Sequence, residues 1–268
     1  MALTSDTPNS LNIREQNVWV GMASSLRCAA LLSLIAVGFW LPIQFPQAHA
    51  SGPLALDGVG TSTICGTYCR AESLTTAHGH DVIILIVESW FTNCFSTIST
   101  ITDSSSLNFT QRVSFAPSDK FWEYYARTRS PLKSDNISVV IPGIYNWGMQ
   151  VLAIRNVNAR AIFDQSPRFP ITLSCLGPGG ISVTTCSASI GAVDHDFIIA
   201  STAINDAGAC TPSSGFAELG DGGGDGVLDI DYQVVSMPQG NLVFTCSGSD
   251  PVAMVADAIS LPNAFGTS

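Results

Sequence analysis

Positive charge is scarce in this sequence, and none follows Arg168. Lysine occurs only at Lys120 and Lys133, while ten acidic residues lie after position 170, giving the 268-residue chain a formal net charge of −10. Nucleic acids and anionic membrane surfaces bind through cationic patches. The composition therefore argues against both partners. It is compatible with cation binding and with acidic or saline surroundings.

Charged residues of both signs are few, and no stretch has the pattern of a capped amphipathic helix. They make up 12% of the chain, against roughly 25% in an average domain, and hydrophobic residues make up 46%. That proportion is too apolar for a disordered chain and sufficient for one large core. Abundant Ser, Thr and Gly suit short strands and turns rather than surface helices.

One buried strand and its repeat organise the rest of the chain. The apolar run Val82–Val87 follows a His80-Asp81 pair, and the same opening returns as His195-Asp196 before Phe197–Ile199. Further on, Asp231-Tyr232 resembles Glu123-Tyr124. Residues 253–259 resemble residues 148–154 at an offset of 105, which is shared by residues 241–244 and 136–139. The pattern indicates an internal duplication, with quasi-repeats at about 73–155 and 188–260.

These repeats predict an all-β fold. No Pro/Gly/Ser-rich linker separates them, so one domain over residues 51–268 is favoured over two separate domains. The expected architecture is an antiparallel sandwich of two sheets, of jelly-roll or immunoglobulin-like type.

The N-terminal 50 residues have the layout of a secretory signal. Arg14 and Arg27 precede the apolar run of residues 28–43, and Ala48-His49-Ala50 places small residues at a cleavage point before Ser51. The run predicts a hydrophobic helix. An uncleaved membrane anchor over residues 18–43 is the alternative, because the leading segment is long. Either way the body of the chain is expected to be extracellular or on the cell surface.

Seven cysteines after position 50 agree with an oxidising compartment, in which disulfides are the expected state. Cys175 and Cys186 bracket a Gly177–Gly180 turn signal and are predicted to pair. Cys210–Cys246 and a bond among Cys65, Cys69 and Cys94 are further predictions. The odd count leaves one thiol free or paired between chains.

An acidic, glycine-rich stretch offers a candidate calcium site. Asp221, Asp225 and Asp229 have the spacing of the first, fifth and ninth ligands of a calcium loop. Gly223 and Tyr232 occupy two other ligand positions and break the match. A glycine-rich hairpin turn therefore remains the alternative. No other cofactor is predicted.

No catalytic motif is present. The sequence lacks the G-x-S-x-G of a serine hydrolase, and Glu88, Glu123 and Glu218 have no context that marks a glycosidase. The His80-Asp81 pair could bind metal or transfer protons. Its recurrence favours a structural role in which the aspartate accepts backbone hydrogen bonds in the preceding turn.

Three surface features remain. Asn108 and Asn136 begin N-glycosylation sequons. Arg127, Arg129 and Lys133 form the compact basic cluster of the chain. A further set of side chains could stack sugars if exposed, or pack in the core: Trp90, Trp122 and Trp147.

Four patterns together resemble secreted β-sandwich proteins of archaeal and bacterial cell surfaces. They are T-x-x-x-x-D-V/F-I-I, T-D-S-S-S-L-N-F-T-Q-R, an aromatic W-x-x-Y strand and W-G-M-Q-V-L-A-I. The resemblance covers about residues 60 to 262 and implies fold and location, with no functional residues. Some similar archaeal proteins assemble into extracellular filaments by lending a terminal strand to the next subunit.

The leading hypothesis is a non-enzymatic surface protein that assembles through contacts with other subunits or cell-surface proteins. Pro53–Leu56 is short enough to be lent as an edge strand, or to pair within its own sheet. A carbohydrate- or ligand-binding adhesin module is the first alternative, and a secreted hydrolase is the second.

Overall fold

The described part of the chain consists of antiparallel strands joined by turns and loops. The computed structural model describes residues 52–63, 65–89, 97–117, 119–144, 147–181, 183–205, 210–220, 228–248 and 250–261. These ranges contain no helix, which confirms the predicted all-β antiparallel sandwich. No helix in them is long and apolar enough to cross a membrane. The expected N-terminal helix lies outside the described residues.

The strands of the described ranges are numbered in chain order. The first nine are β1 (Ala55–Val59), β2 (Thr61–Thr63), β3 (Cys69–Leu74), β4 (Val82–Ser89), β5 (Thr100–Thr102), β6 (Thr110–Phe115), β7 (Lys120–Arg127), β8 (Asp135–Val140) and β9 (Trp147–Arg155). The remaining eight are β10 (Ile171–Ser174), β11 (Thr185–Val193), β12 (Asp196–Ile204), β13 (Thr211–Pro212), β14 (Ala217–Gly220), β15 (Leu228–Val234), β16 (Gln239–Ser247) and β17 (Pro251–Ser260).

The strands form four sheets, two from each half of the chain. In the first half, the order β1-β9-β4-β7-β6 makes the first inner sheet and β2-β3-β8-β5 the first outer sheet. In the second half, β10-β17-β12-β15-β14 makes the second inner sheet and β11-β16-β13 the second outer sheet. The sequence suggested two sheets. The described chain instead builds a sandwich from each repeat.

Three hydrophobic clusters show how the sheets are layered. One cluster fills the first sandwich, between its inner and outer sheets, and a second fills the other sandwich. The third joins residues of both inner sheets, including Val82 and Ile84 from β4 with Phe197 and Ile199 from β12. The two sandwiches therefore pack through their inner sheets, and the layers run outer, inner, inner, outer.

The central strands β4 and β12 are buried on both faces. In β4, Ile84 and Ile86 face the other half of the molecule, while Ile83 and Leu85 face their own outer sheet. A strand covered on both sides carries apolar residues continuously instead of alternating. The unbroken run Val82–Val87 follows from this position in the middle of four layers.

The strand register shows which residues of the two repeats correspond. Val82 pairs with Ile154 in the first inner sheet, and Phe197 pairs with Ile259 in the second, so the 105-residue offset between β9 and β17 is confirmed. The predicted match of Asp231-Tyr232 to Glu123-Tyr124 is wrong by one residue. Tyr125 lies opposite Ile84 and Tyr232 opposite Ile199, so Tyr232 corresponds to Tyr125.

The chain passes from the first inner to the first outer sheet at Gly60. A Cβ there would lie 2.1 Å from Oε2 and 2.9 Å from Cβ of Glu72, so any residue larger than glycine would have to displace this side chain. Glu72 is buried, and its Oε2 accepts the backbone N–H of Val151 at 2.7 Å and a side-chain N–H of Gln150 at 3.1 Å. The carboxyl group thereby satisfies a β9 donor near the point where the chain leaves the sheet.

A buried ion pair joins the two halves. Arg112 of β6 donates from Nε to Asp257 of β17 at 2.7 Å and from Nη2 to the same carboxylate at 3.2 Å. The guanidinium carbon lies 4.3 Å from the ring centre of Phe163. The Asp257 side chain is 0% exposed. The neighbouring Glu123 is also buried, and burial followed by the charge of Asp257 raises its pKa well above its usual value.

The lead-in segment pairs within its own sheet. β1 lies antiparallel to β9, and Leu54 just before it is buried in the cluster between the inner sheets. The structure therefore shows the second of the two arrangements considered for Pro53–Leu56, in which the segment completes its own subunit.

Three disulfides are present in the described residues. Cys175–Cys186 ties the end of β10 in the inner sheet to β11 in the outer sheet, and Cys210–Cys246 ties the segment before β13 to β16. Cys65–Cys69 closes a short loop before β3. Cys94 lies outside the described residues. Such crosslinks are typical of proteins that mature in an oxidising compartment.

Removing the bond between the sheets is expected to destabilise the second sandwich. The cysteines are 11 residues apart in sequence. Closing a loop of that size stabilises the folded state by about 3 kcal/mol in the chain-entropy model. The double variant Cys175→Ser/Cys186→Ser should therefore melt roughly 6–12 °C lower, as measured by differential scanning calorimetry. Cys65→Ser/Cys69→Ser, which opens a smaller loop, is the matched control. An equal loss in both variants would contradict the loop-size argument.

Candidate functional site

The repeated His-Asp pairs lie in equivalent turns before the central strands. His80 and His195 both have left-handed backbone conformations, with φ of 65° and 56°. In each turn the aspartate that follows accepts a backbone hydrogen bond on its carbonyl oxygen, from Thr128 at 3.0 Å for Asp81 and from Val235 at 2.8 Å for Asp196. The pairs therefore recur because the same turn recurs.

Beside the first turn, Asp57 binds the backbone and the ring of His78. Its Oδ2 accepts the N–H groups of Ala77 and His78, each at 2.9 Å, and its Oδ1 lies 2.6 Å from Nδ1 of His78. Burial opposes ionisation of this carboxyl group. The hydrogen bonds and charge of His78 nevertheless hold the pKa of Asp57 below its usual value. Asp57 thus acts as an anionic clamp on the turn.

Asp81 is fully buried close to this clamp. Its carboxyl oxygens have no hydrogen-bond partner among the described residues. Burial, followed by the charge of Asp57, raises the pKa of Asp81 to about 7. One carboxyl group of the pair is therefore ionised, while the other holds its proton well above the usual range.

The second half carries a corresponding pair. Phe163 bridges Ile259 as Leu56 pairs with Ile154, which places Asp164 at the position of Asp57. Asp164 likewise accepts a backbone N–H, from Ser166 at 2.6 Å. Burial, with the charges of Asp164 and Asp194, raises the pKa of Asp196 to about 7. The duplication has kept two acidic side chains together at both turns.

In each carboxyl pair, the repeated His-Asp pattern marks only one member, Asp81 in the first half and Asp196 in the second. The predicted turn contact is present in the second half, where Oδ2 of Asp196 accepts the N–H of Asp194 at 3.2 Å. In the first half the turn is bound by Asp57, which sequence reasoning missed. An apolar residue before an aspartate, as in Leu56-Asp57 and Phe163-Asp164, was the available signal.

His78, the exposed histidine bound by Asp57, has no nucleophile to activate among the described residues. Its ring is about half exposed, and Nε2 faces Nη1 of Arg155 at 3.5 Å, with no hydroxyl or thiol contact in the described residues. A histidine that works as a general base needs a positioned donor at that nitrogen. His195 contacts the exposed Asp194 in a similar local pair.

The candidate calcium ligands fall mostly outside the described residues. Asp221 and Asp225 are not described. Asp229 lies in β15, is buried, and accepts the N–H of Cys210 at 3.1 Å. Burial, with the charge of Asp229 next, raises the pKa of its neighbour Asp231 to about 7. The described residues contain no group of three metal-ligating side chains. The calcium site stays a prediction.

The described tryptophan candidates for sugar stacking are buried, whereas the two asparagine candidates for glycosylation are exposed. Trp122 and Trp147 are 4% and 1% exposed and belong to the core of the first sandwich, so neither can stack a sugar. Trp90 lies outside the described residues. Asn108 and Asn136 are exposed, and the Asn136 side chain accepts a hydrogen bond from Thr63 at 2.9 Å. Glycosylation of either stays a prediction.

A depression of about 580 Å³ lies beside the first turn. Its lining includes His80, Asn108 and Tyr125 together with Arg127 and Arg129, two members of the predicted basic cluster. Arg127 donates to the carbonyl oxygen of Asn158 at 2.6 Å, which fixes its side chain. Two guanidinium groups and an exposed asparagine give this depression a polar, cationic lining.

The second outer sheet differs from all of these clusters in carrying no charge. None of the residues of β11, β13 and β16 is acidic or basic. Its solvent face is lined by small hydroxyl groups, such as the contact between Ser187 and Thr245 at 2.9 Å, and by Val243, which is 37% exposed.

No protein-family model, curated protein or solved structure matches this chain.

Proposed function

We propose that this chain is an extracellular structural protein that builds or decorates the cell surface through protein–protein contacts, without catalysis. The second outer sheet carries the proposal. In a chain with a formal net charge of −10, its three strands contain no charged residue. Depletion of charge is the compositional mark of the centre of a protein–protein interface. Copies of an acidic protein approach with the least repulsion through such a surface.

Other features support this function. Three disulfides suit an extracellular setting. Asp57 holds the backbone of the first acidic turn in place, and Nε2 of the neighbouring His78 faces Arg155. The lead-in segment completes its own sheet, so association is assigned to surfaces that are already folded in one subunit.

Self-association is expected to be detectable with the full chain. Sedimentation velocity over a thousandfold concentration range, with detergent present if the N-terminal segment is retained, should show species larger than the monomer. Electron microscopy of the concentrated sample should show ordered particles or filaments. A strictly monomeric protein over that range would overturn the proposal.

A ligand-binding module is the second candidate, and the cationic depression favours it. Arg127 and Arg129 could hold acidic groups of a glycan beside Tyr125. Loops at one end of a sandwich are a common place for recognition. If the protein is monomeric and binds an acidic glycan, and Arg129→Ala abolishes that binding, this candidate replaces the first.

A further inference from the structure

We propose that two copies of this chain pair through the outer edge of β11, antiparallel to each other about a two-fold axis. The pairing would join two second outer sheets into one continuous six-stranded sheet. The inference rests on the proposed assembling function and names the surface that performs it.

β11 is a long strand at the edge of its sheet. Seven of its nine residues pair with β16, from Thr185 to Val193, and no strand lies on its other side among the described residues. Most of the other edge strands are much shorter, such as β5 with three residues and β13 with two. An edge strand presents a row of backbone N–H and C=O groups to any strand that can pair with it.

The first half shows how such an edge is covered. β3 corresponds to β11, because each pairs with the corresponding strand β8 or β16. On its other side β3 is paired by β2, with Thr61 opposite Ser73 and Thr63 opposite Ala71. In the second half the chain turns after β10, where the N–H of Gly177 donates to the carbonyl oxygen of Ile181 at 2.8 Å. The described residues thus supply β11 with no counterpart of β2.

The usual devices that block an edge are missing over most of β11. Exposed edge strands are normally protected by lysine, proline, inward-pointing charge or a bulge. The sequence TCSASIGAV has none of the first three. The register shifts around Gly191, and a Cβ on that residue would lie 1.9 Å from Nη1 of Arg168. The bulge, which begins at Ile190, and Arg168 protect only this last part, so the stretch from Thr185 to Ser189 remains regular.

The side chains of this stretch suit a second copy. Cys186, Ala188 and Ile190 point into the core, while Thr185 and its neighbours Ser187 and Ser189 are exposed. An antiparallel pair about a two-fold axis brings the same segment to itself, so complementarity is met by symmetry. Small, uncharged side chains on both strands avoid the repulsion that like charges would cause. Ile181, 70% exposed just before the strand, adds apolar surface beside the edge.

Lysines on the edge strand should prevent the pairing. Ser187→Lys/Ser189→Lys places four positive charges next to one another in the dimer and is expected to weaken self-association at least about tenfold in sedimentation equilibrium of the full chain. The matched control is Val243→Lys/Thr245→Lys. It adds the same charge to the same solvent face, one strand in from the edge, and removes the same contact between Ser187 and Thr245. Its association should match that of the wild type, and both variants should keep the wild-type melting temperature within a few degrees.

Hydrogen exchange tests the same pairing without substitution. Amides of residues 185–189 should exchange more slowly as protein concentration rises, whereas the edge strand Thr100–Thr102 should show no such change. If the protein associates but the β11 amides do not respond and the edge variant behaves as the control, the edge is wrong while the assembling function stands. If the wild type does not associate at all, both the β11 pairing and the assembling function are wrong.

Discussion

Replacing Arg112 with methionine is expected to lower the free energy of unfolding by about 3–5 kcal/mol, because it leaves a buried carboxylate without its partner. Asp257 has a side chain that is 0% exposed and receives two hydrogen bonds from the guanidinium group. Glu123, buried alongside with a pKa raised well above its usual value by burial and then by the charge of Asp257, offers Asp257 no compensating positive charge. Urea unfolding followed by tryptophan fluorescence measures the loss.

The partner substitution separates the ion pair from simple packing. In Arg112→Met/Asp257→Leu both charges are gone, and replacement of a buried pair by apolar groups is often close to neutral. The double variant should recover most of the stability lost in the single one. Arg129→Met, at an exposed position, should stay within about 0.5 kcal/mol of the wild type. A double variant as unstable as the single variant would contradict the pairing.

The second large effect expected is a loss of stability as pH rises from about 4.5 to 8. Burial raises the pKa of Glu72 to about 8 and, with neighbouring charges, those of Asp81, Asp196 and Asp231 to about 7. Between the usual carboxyl pKa and these values the folded chain holds more protons than the unfolded chain. The free energy of unfolding therefore falls with increasing pH, and the stabilisation is complete only below the unfolded pKa.

The magnitude follows from the number of groups. Each unit of pKa difference corresponds to about 1.4 kcal/mol, and screening by nearby water reduces what each group contributes. If this screening leaves each group with about 1 kcal/mol, the four groups together are expected to change the free energy of unfolding by about 4 kcal/mol. The melting temperature should then be about 10 °C lower at pH 8 than at pH 4.5. Asp57, with its lowered pKa, acts in the opposite direction and loses its contribution at the acid end.

Amide substitutions provide the control for this pH dependence. Asp81→Asn/Asp196→Asn removes one ionisable group from each repeat and should flatten the curve of melting temperature against pH. The variant is expected to gain on the wild type at pH 8 and to lose that advantage at pH 4.5. A wild-type melting temperature that is constant over this range would show that the buried acids ionise without cost.

Local patterns predicted much of the fold. The unbroken apolar run of β4 marks it as a central strand, and the glycine-rich turn between Cys175 and Cys186 marks their pairing. The number of sheets could also have been predicted from the sequence. A strand buried on both faces needs a layer on each side, and β4 and β12 each need two. Two such strands facing each other give four layers rather than two.

Residue pairings that depend on the strand register could not be predicted from the sequence. Because side chains alternate between the faces of a strand, a shift of one residue moves each of them to the opposite face. Matching Glu123 to Asp231 was such a shift, since hydrogen bonds across β4 and β12 set the register. The pairs Asp57–Asp81 and Asp164–Asp196 were missed for a related reason. Their members come from separate strands and meet only once β1 and the Phe163 bridge are in place.

The contact between the inner sheets affects how the chain must be made. The side of β4 that carries Val82 and Ile84 is covered by Phe197 and Ile199, which are synthesised more than a hundred residues later. Until then the first sandwich has a bare apolar face of core composition. A nascent subunit can bury that face against the same face of a sister chain before its own second half arrives. The first sandwich therefore has all of its core faces buried only after the second half of the chain has been made and has packed against it.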